Sequence, residues 1–239
     1  MRPDEPKDID RIFREDRRRI DEALEQGVRE AMIRHKKDGL PVVIYRDGSF
    51  RQQCVGIEDG RFGWRTGGPA TAEMESYLRR YFPPPEEGRW YEINVAALDW
   101  LQRISCSLVE GFVFSIDYGF TRPESVRFPA GTLMSYRRHT ARDQVLLNPG
   151  ECDLTAHVNF TGLQEFGADV GLETISFTSL AQTLLLAGES DQFAAALGGD
   201  DSDIRRRMQL KTLLFGMGET FRVLLQGRMR EPEKGREKP

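Results

Sequence analysis

The sequence has few of the residues that build disulfides, metal sites or membrane spans. Its only three cysteines, Cys54, Cys106 and Cys152, lie far apart and form no redox or zinc motif. Three histidines are too few and too scattered for a zinc site, which needs three or four converging ligands. The longest apolar stretch, at 184–187, is far too short to cross a bilayer. We therefore predict a cytoplasmic protein, in a reducing compartment, without a metal or a membrane.

The sequence also lacks a dominant charge and the usual hydrolase motifs. Its 34 Lys and Arg residues nearly balance 38 Asp and Glu residues, for a formal net charge of −4, so bulk attraction to nucleic acid or anionic lipid is not expected. No Gly-x-Ser-x-Gly elbow is present, and Cys106 has no evident histidine partner. No apolar segment follows Met1, so no secretory signal is predicted. These gaps disfavour nucleic-acid binding, secretion and hydrolysis.

Composition divides the chain into four predicted segments. Residues 1–37 are crowded with charge of both signs, and apolar residues recur in them at roughly helical spacing, which indicates an amphipathic helix. That helix is either solvated with a thin apolar stripe or a partner-binding helix. Residues 38–90 are predicted to form a β-meander followed by a helix, and residues 91–227 an α/β domain. Residues 228–239 are predicted to be a charged, disordered tail.

Turn residues separate the predicted strands of the meander. Asp47 and Gly48 separate a β-branched run from a second strand, and Asp59 and Gly60 separate the second strand from a third. A helix at 71–82 follows and ends before three consecutive prolines. The spacing therefore predicts three short strands and one helix.

The segment from residue 91 begins with a helix at 95–108 and a nearly continuous apolar run at 112–116. Such a run predicts a strand that is buried on both faces of a parallel sheet. Asp117, Tyr118 and Gly119 would then end the strand at its carboxyl edge, where open α/β sheets bind ligands.

The connection at 120–158 shows no clear structure, which is typical of a lid or binding loop. We expect it to fold over the sheet edge and to carry Asp153, Thr155 and His157 toward Tyr118. His157 can act as an acid or base, or make a structural hydrogen bond. Asp153 and Thr155 either line the pocket or only brace the loop.

The remaining pattern predicts a helix that ends at Gly171, and then a strand at 172–177, helices at 178–187, 189–197 and 202–214, and a last strand at 221–225. Gly216 and Gly218 form a tight Gly-x-Gly that precedes this last strand, not a helix. It therefore cannot hold a phosphate at a helix amino terminus. It is either a turn into the strand or a backbone approach to a pocket, with Glu219 as a carboxylate ligand.

Several of these segments follow one another in the order and spacing of a known family. They are residues 90–94, 97–101, 111–119, 131–133, 136–139, 149–150, 153–160, 216–219 and 221–224. The run resembles the MidA-like S-adenosylmethionine-dependent methyltransferases, whose mitochondrial relatives assist assembly of respiratory complex I by methylating a protein arginine. The resemblance implies that the chain forms the carboxyl-terminal part of a class I, Rossmann-like methyltransferase sheet with an inserted β-meander.

The resemblance covers roughly residues 38–227. Its first motif, Asp-Gly-Leu-Pro-Val, looks like the family's Asp-Ala-Leu-Pro-Val and makes Asp38, Leu40 and Pro41 candidates for the cofactor edge. The family's preceding Asn-Glu pair, its first strand, its glycine-rich loop and its acidic ribose ligand have no evident counterpart. S-adenosylmethionine is thus the cofactor implied by resemblance, and we expect this chain alone to bind it weakly or not at all.

Three interpretations of function follow: a truncated methyltransferase, one half of a split enzyme, or a non-catalytic scaffold. The implied partners are a protein substrate such as a respiratory-complex subunit, and a second copy or a missing amino-terminal half. If arginine is the substrate, acidic side chains such as Asp117 or Glu219 would pair its guanidinium. No residue is assigned a catalytic role. The candidate pocket comprises Asp117, Tyr118, Gly119, Asp153, Thr155, His157, Gly216, Gly218 and Glu219.

Overall fold

The structure, a computed structural model, describes residues 41–138, 140–188 and 204–228. The chain divides into two compact units, Met1–Pro41 and Val42–Pro239. The predicted extension at 1–37, the helix at 189–197, the tail from residue 229, and Asp38 and Leu40 lie outside the described residues. Within the described part, no helix combines the length and the apolar character needed to cross a membrane.

The meander forms as the turn residues predict. Strands β1, Val42–Arg46, β2, Ser49–Glu58, and β3, Arg61–Pro69, pair antiparallel, and β4, Trp90–Glu92, pairs with the other side of β1. The residues of the first turn, Asp47 and Gly48, have φ of 51° and 73°. Asp59 and Gly60 repeat this geometry in the second turn, with φ of 49° and 73°. Two consecutive positive φ angles suit the right-handed twist of a hairpin.

Two helices pack beside this sheet, and a side chain caps each of them. Helix α1, Ala72–Tyr81, begins after Thr71, whose hydroxyl accepts from the Met74 backbone N–H at 3.3 Å. Helix α2, Val95–Ser107, begins after Asn94, whose side chain accepts from the Ala97 N–H at 3.0 Å. These caps satisfy backbone donors that a helix start leaves unpaired. The helices bury Tyr77, Leu78, Tyr81, Leu98 and Leu101.

A second sheet carries the candidate site. Its strand order is β10-β11-β5-β9. The strands are β5, Gly111–Phe120, β9, Val158–Asn159, β10, Glu173–Ser179, and β11, Phe221–Arg228. Strand β11, the predicted last strand, runs antiparallel between β5 and β10. It reaches Arg228, one residue into the predicted tail.

Helix α3, Phe160–Asp169, covers one face of this sheet. Asn159 caps its start, since its side-chain oxygen accepts from the Gly162 N–H at 3.2 Å. Gly171, with φ of 79°, follows its end as predicted. Between β10 and β11 the chain forms α4, Leu180–Gly188, α5, Ile204–Lys211, and a π-helical turn, Thr212–Met217.

Strand β5 differs from its prediction in two ways. The run at 112–116 was expected to be buried on both faces, but Phe112, Phe114 and Ile116 are exposed whereas Val113 is buried. That prediction was wrong because α3 covers only one face and the long neighbour, β11, is antiparallel. The strand also continues to Phe120, so Asp117, Tyr118 and Gly119 lie inside it rather than after it.

The connection at 120–158 was expected to lack structure, and that prediction was also wrong. It contains a 3-10 helix, Glu124–Arg127, and strands β6, Met134–Arg137, β7, Thr140–Arg142, and β8, Asp153–Thr155. The three strands form a separate sheet in the order β7-β6-β8. Strands of three or four residues are too short to show the two-residue alternation by which sequence patterns predict them.

Candidate functional site

An aromatic cluster stands at the carboxyl end of β5. The Tyr118 ring lies 4.0 Å from that of Phe221 and 6.3 Å from that of His157, between ring centroids. Phe128 meets the other side of His157 edge-on at 5.3 Å. We call these four residues the aromatic cluster. The predicted contact between Tyr118 and His157 is confirmed.

Strand register builds this cluster. Tyr118 lies opposite Phe221 in the antiparallel pair with β11, and Gly119 lies opposite Val158 in the short parallel pair with β9. Because His157 immediately precedes Val158, this pairing places His157 beside Tyr118. A Cβ on Gly119 would lie 2.4 Å from both the Val158 carbonyl oxygen and the Phe160 ring. Glycine at 119 therefore permits the close approach that places His157.

The Glu92 carboxylate supports His157 through one intermediate residue, Thr132. Glu92 accepts from the backbone N–H groups of Thr132 at 2.6 Å and Leu133 at 3.0 Å. The Thr132 hydroxyl in turn accepts from the His157 backbone N–H at 2.9 Å. Gly131 has φ of 81°, and a Cβ there would lie 2.3 Å from the Glu92 carboxylate. Burial raises the pKa of Glu92, although these backbone hydrogen bonds oppose the rise.

The His157 imidazole is held in a setting that favours its neutral form. Burial lowers its pKa below the ordinary value, and the Asp117 carboxylate only partly opposes this effect. The Nδ1 atom is buried and has no hydrogen-bond partner among the described residues. At neutral pH this imidazole is therefore uncharged and able to accept a proton.

Asp117 is an exposed carboxylate whose neighbouring cation is engaged elsewhere. Its Oδ1 accepts from the Tyr118 backbone N–H at 2.7 Å. Arg222, opposite Asp117 in the strand register, pairs with Glu124 at 2.6 Å. Burial alone would raise the pKa of Glu124, but bonds from Thr121 and the charge of Arg222 lower it. Asp117 thus remains open to solvent at the edge of the aromatic cluster.

The Gly216–Glu219 turn reaches the same end of the sheet because β11 is antiparallel to β5. Gly218 is a packing residue: a Cβ there would lie 2.7 Å from the Ala181 Cβ and 2.2 Å from the Leu214 carbonyl oxygen. Its own carbonyl accepts from the Ala181 N–H at 3.0 Å. This geometry favours a turn into the last strand. Gly216 and Glu219 are exposed, and Glu219 as a pocket ligand stays a prediction.

The other predicted residues lie apart from these contacts. Asp153 and Thr155 are exposed in β8, opposite Tyr136 and Met134, and take no part in the ring contacts of the aromatic cluster. Pro41 is half-buried immediately before β1. That Asp153, Thr155 and Pro41 belong to the site remains a prediction.

Two grooves of the described residues lie away from the aromatic cluster. One of about 920 Å³ runs between the β2–β3 turn and residues 143–149 and includes Phe62, Trp64 and Leu147 in its lining. A smaller one, of about 450 Å³, lies beside α2. The aromatic cluster lines neither groove. The described residues also contain no group of three His, Cys, Asp or Glu that could hold a metal.

Sequence reasoning passed over several residues that form the site. Thr132 and Glu92 lie in segments quoted above only for their resemblance, without a stated role, and Phe128 and Phe221 were not singled out. A glycine followed by a hydroxyl residue, as at 131–132, is a signal for a left-handed turn beside a hydrogen-bond donor or acceptor. The partner of that turn, Glu92, is 40 positions away and gives no local signal.

Comparisons with known proteins place these features in a family. A family model described as "Putative S-adenosyl-L-methionine-dependent methyltransferase" matches residues 37–178. The crystal structure of an uncharacterized protein from Burkholderia thailandensis is 30% identical, with a TM-score of 0.68, over 80% of this chain and 52% of that one. A candidate methyl transferase from the same organism, solved bound to S-adenosyl-homocysteine, is 30% identical, with a TM-score of 0.69, over 81% and 51%. No curated protein matches.

These similarities confirm the predicted fold class, and the chain spans about half the length of the solved relatives. The family's cofactor is S-adenosylmethionine. The glycines near the aromatic cluster do not form a cradle for it, because the space beside Gly119, Gly131 and Gly218 is filled by the chain itself. These three glycines therefore do not supply a cradle for the cofactor.

Proposed function

The chain belongs to the S-adenosyl-L-methionine-dependent methyltransferase family, and from this premise we propose that it is the carboxyl-terminal part of a methyltransferase that acts on a protein arginine. The observation that carries the proposal is the aromatic cluster, with Asp117 exposed beside a neutral His157. The three glycines beside the cluster form no cofactor cradle, so the proposal assigns the cluster to the substrate side of the site.

The substrate class follows from the chemistry of this surface. Tyr118 is 42% exposed, and aromatic faces attract the planar guanidinium group. Asp117 precedes it at the same end of β5, where its exposed carboxylate, which leaves the other face of the strand, can bind a guanidinium with two parallel N–H donors. Glu219 adds a second exposed carboxylate in the turn that leads into β11. The proposed substrate is therefore an arginine side chain of a protein. A respiratory-complex subunit is the example that the family resemblance implies.

His157 is the proposed proton acceptor. A guanidinium nitrogen must lose its N–H proton when it gains a carbon substituent, so a neutral base nearby lowers the barrier. Burial keeps the imidazole uncharged near neutral pH, because it lowers the pKa of His157. Thr132 and Phe128 hold the residue in place from two directions.

Peptide binding tests the substrate side. The full chain is titrated with an arginine-containing peptide and with the same peptide carrying citrulline, which keeps the shape and removes the charge. We expect Asp117→Asn to weaken arginine-peptide binding about tenfold, the equivalent of about 1.4 kcal/mol. The control, Asp99→Asn, changes an exposed carboxylate on α2 and should have no effect. Equal affinity for both peptides would contradict the proposal.

Calorimetry tests the division of the site. We expect the chain alone to bind S-adenosylmethionine weakly or not at all. Saturable micromolar binding would contradict this and would place the cofactor site within the chain. Methylation regained when an amino-terminal half is supplied in trans would support a split enzyme over a truncated one.

A scaffold without catalysis is the second candidate function. The exposed apolar side chains of β5 favour it, because large exposed apolar surfaces mark protein contacts. A protein that binds partners normally, yet gains no methylation activity when an amino-terminal half is added, would support the scaffold.

In either case we propose a cytoplasmic location, since Cys54, Cys106 and Cys152 are free thiols.

A further inference from the structure

The residue before β4, Arg89, is a buried arginine with few partners. Its side chain is 2% exposed, and its guanidinium carbon lies over the Tyr91 ring, 5.6 Å from the centroid. Nη2 donates to the backbone carbonyl of Ser125. Nη1 lies 3.5 Å from the exposed Glu86 carboxylate, and neither Nη1 nor Nε makes a hydrogen bond to the described residues. Within the described part of the chain, the guanidinium is therefore hydrogen-bonded through Nη2 alone.

This burial costs free energy. Moving a charged group out of water is unfavourable, and an apolar side chain of similar volume is often as stable at such a position, or more stable. Because Glu86 is exposed, replacing Arg89 would leave no buried carboxylate without its cation. The stability of the fold alone therefore does not account for an arginine at position 89.

The acceptor of Arg89 lies in the 3-10 helix, Glu124–Arg127, which leads into the aromatic cluster. The Ser125 carbonyl also accepts from the Phe128 N–H at 3.0 Å, so Arg89 and Phe128 share one acceptor. The Phe128 ring in turn meets the His157 ring edge-on. The guanidinium thus binds the turn of backbone that directs Phe128 toward His157.

The same 3-10 helix keeps a cation away from Asp117. Its first residue, Glu124, pairs with Arg222 at 2.6 Å, and Arg222 lies opposite Asp117 in the register of β5 and β11. Residues directly opposite one another in a sheet share a face and can interact. If the 3-10 helix moved away, Arg222 would lose Glu124 and could pair with Asp117 instead. That pair would occupy the carboxylate that the proposed function assigns to the substrate.

The segment after the 3-10 helix has its own hydrogen bonds to β4. The Trp90 N–H donates to the Pro129 carbonyl at 2.9 Å, and Glu92 accepts from the Thr132 N–H at 2.6 Å. These bonds do not involve the side chain of Arg89. Loss of that side chain should therefore loosen the 3-10 helix locally and leave the rest of the fold in place.

We propose that Arg89 is a positioning residue for the substrate side of the site. By binding the Ser125 carbonyl it fixes the 3-10 helix, which keeps Phe128 against His157 and keeps Arg222 away from Asp117. The inference rests on the proposed function, in which Asp117 binds the guanidinium of the substrate and His157 accepts its proton.

Variants of the full 239-residue chain test this role. Arg89→Met keeps the length of the side chain and removes the donor to Ser125. We expect it to fold, to lose the nuclear Overhauser contact between the Phe128 and His157 rings, and to weaken arginine-peptide binding about fivefold. Arg89→Lys keeps a cationic donor and should restore most of both. The control, Arg79→Met, removes an exposed arginine of α1 and should change neither.

A double variant tests whether Arg89 acts through the 3-10 helix. Glu124→Gln should by itself weaken arginine-peptide binding about fivefold, because it releases Arg222. If both substitutions act through the same helix, Arg89→Met combined with Glu124→Gln should also weaken it about fivefold, rather than by the product of the two effects. Multiplied effects would overturn the inference.

Three further results would overturn it. The first is a Phe128–His157 contact or a peptide affinity that Arg89→Met leaves unchanged. The second is Arg89→Lys behaving as Arg89→Met does. The third is failure of both variants to fold, which would identify Arg89 as a stability residue. If the unaltered chain binds the arginine and citrulline peptides equally, the proposed function fails, whereas the ring contact still reports whether Arg89 positions Phe128.

Discussion

The two faces of strand β5 carry similar side chains and have different environments. Val113 on one face is buried with Leu224 of β11 and Phe160 of α3. Phe112 and Phe114 on the other face are mostly exposed. The apolar residues of a strand therefore show which of its faces can be buried. A face is buried only where another layer of the protein covers it.

The largest expected effect contrasts the covered face with the open one. Phe160→Ala should lower the free energy of unfolding by about 3–5 kcal/mol, because it leaves a cavity in a fully buried position. Phe114→Ala should lower it by less than about 0.5 kcal/mol, as surface substitutions do. Urea unfolding of both variants measures the difference. Equal losses would show that Phe114 is covered in the isolated chain.

The next largest loss of unfolding free energy concerns the hydrogen bonds between β11 and the carboxyl ends of α2 and α3. Arg228 at the end of β11 donates to the carbonyls of Ser105 at 2.6 Å, Leu108 at 2.8 Å and Gly171 at 3.2 Å. These carbonyls lie at or just beyond the carboxyl ends of α2 and α3, where a cation is favourable. Arg228→Ala should cost about 2–3 kcal/mol of unfolding free energy. Arg103→Ala, an exposed arginine on α2, should change it by less than about 0.5 kcal/mol.

A smaller loss of unfolding free energy is expected at the candidate site. Thr132→Val keeps the shape of the side chain but removes the acceptor of the His157 N–H. We expect a loss of about 1–2 kcal/mol in unfolding free energy and a changed amide resonance of His157. Thr132→Ser keeps the hydroxyl and should preserve that resonance. If serine and valine behave alike, the hydrogen bond does not hold His157.

The smallest effect is the pH dependence that His157 produces. Burial lowers its pKa in the folded state, so the unfolded chain binds a proton first as the pH falls through about 6.5. The free energy of unfolding should therefore decrease between pH 6.5 and the lower folded pKa. His157→Asn should make this slope shallower, as measured by urea unfolding at a series of pH values. An unchanged slope would mean that the imidazole titrates alike in both states.

Local elements could be predicted from the sequence to a large extent. Thr71 and Asn94 cap helices that start within a residue or two of their predicted positions. The turns at Asp47 and Asp59 lie where the meander needs them. Caps and turns depend on residues only a few positions apart, so their signals survive in a single sequence.

The candidate site could be predicted only in part. Tyr118 and His157 were expected to meet because one follows an apolar run and the other lies in the following connection, and their rings do meet. Their supports, Glu92 and Thr132, were missed because neither forms a pattern with its neighbours. The short strands that shape the connection were missed for the same reason.

The sequence by itself determined the main described strands and helices outside the connection at 120–158, their turns, and the family to which the chain belongs. Only the tertiary structure decided which face of β5 is covered, how Glu92 and Thr132 support His157, and which helix ends Arg228 binds. The hydrogen bonds involved join residues separated by 40, 25 and 123 positions. Contacts over such separations depend on how the whole chain packs, and that information is not contained in any local pattern of residues.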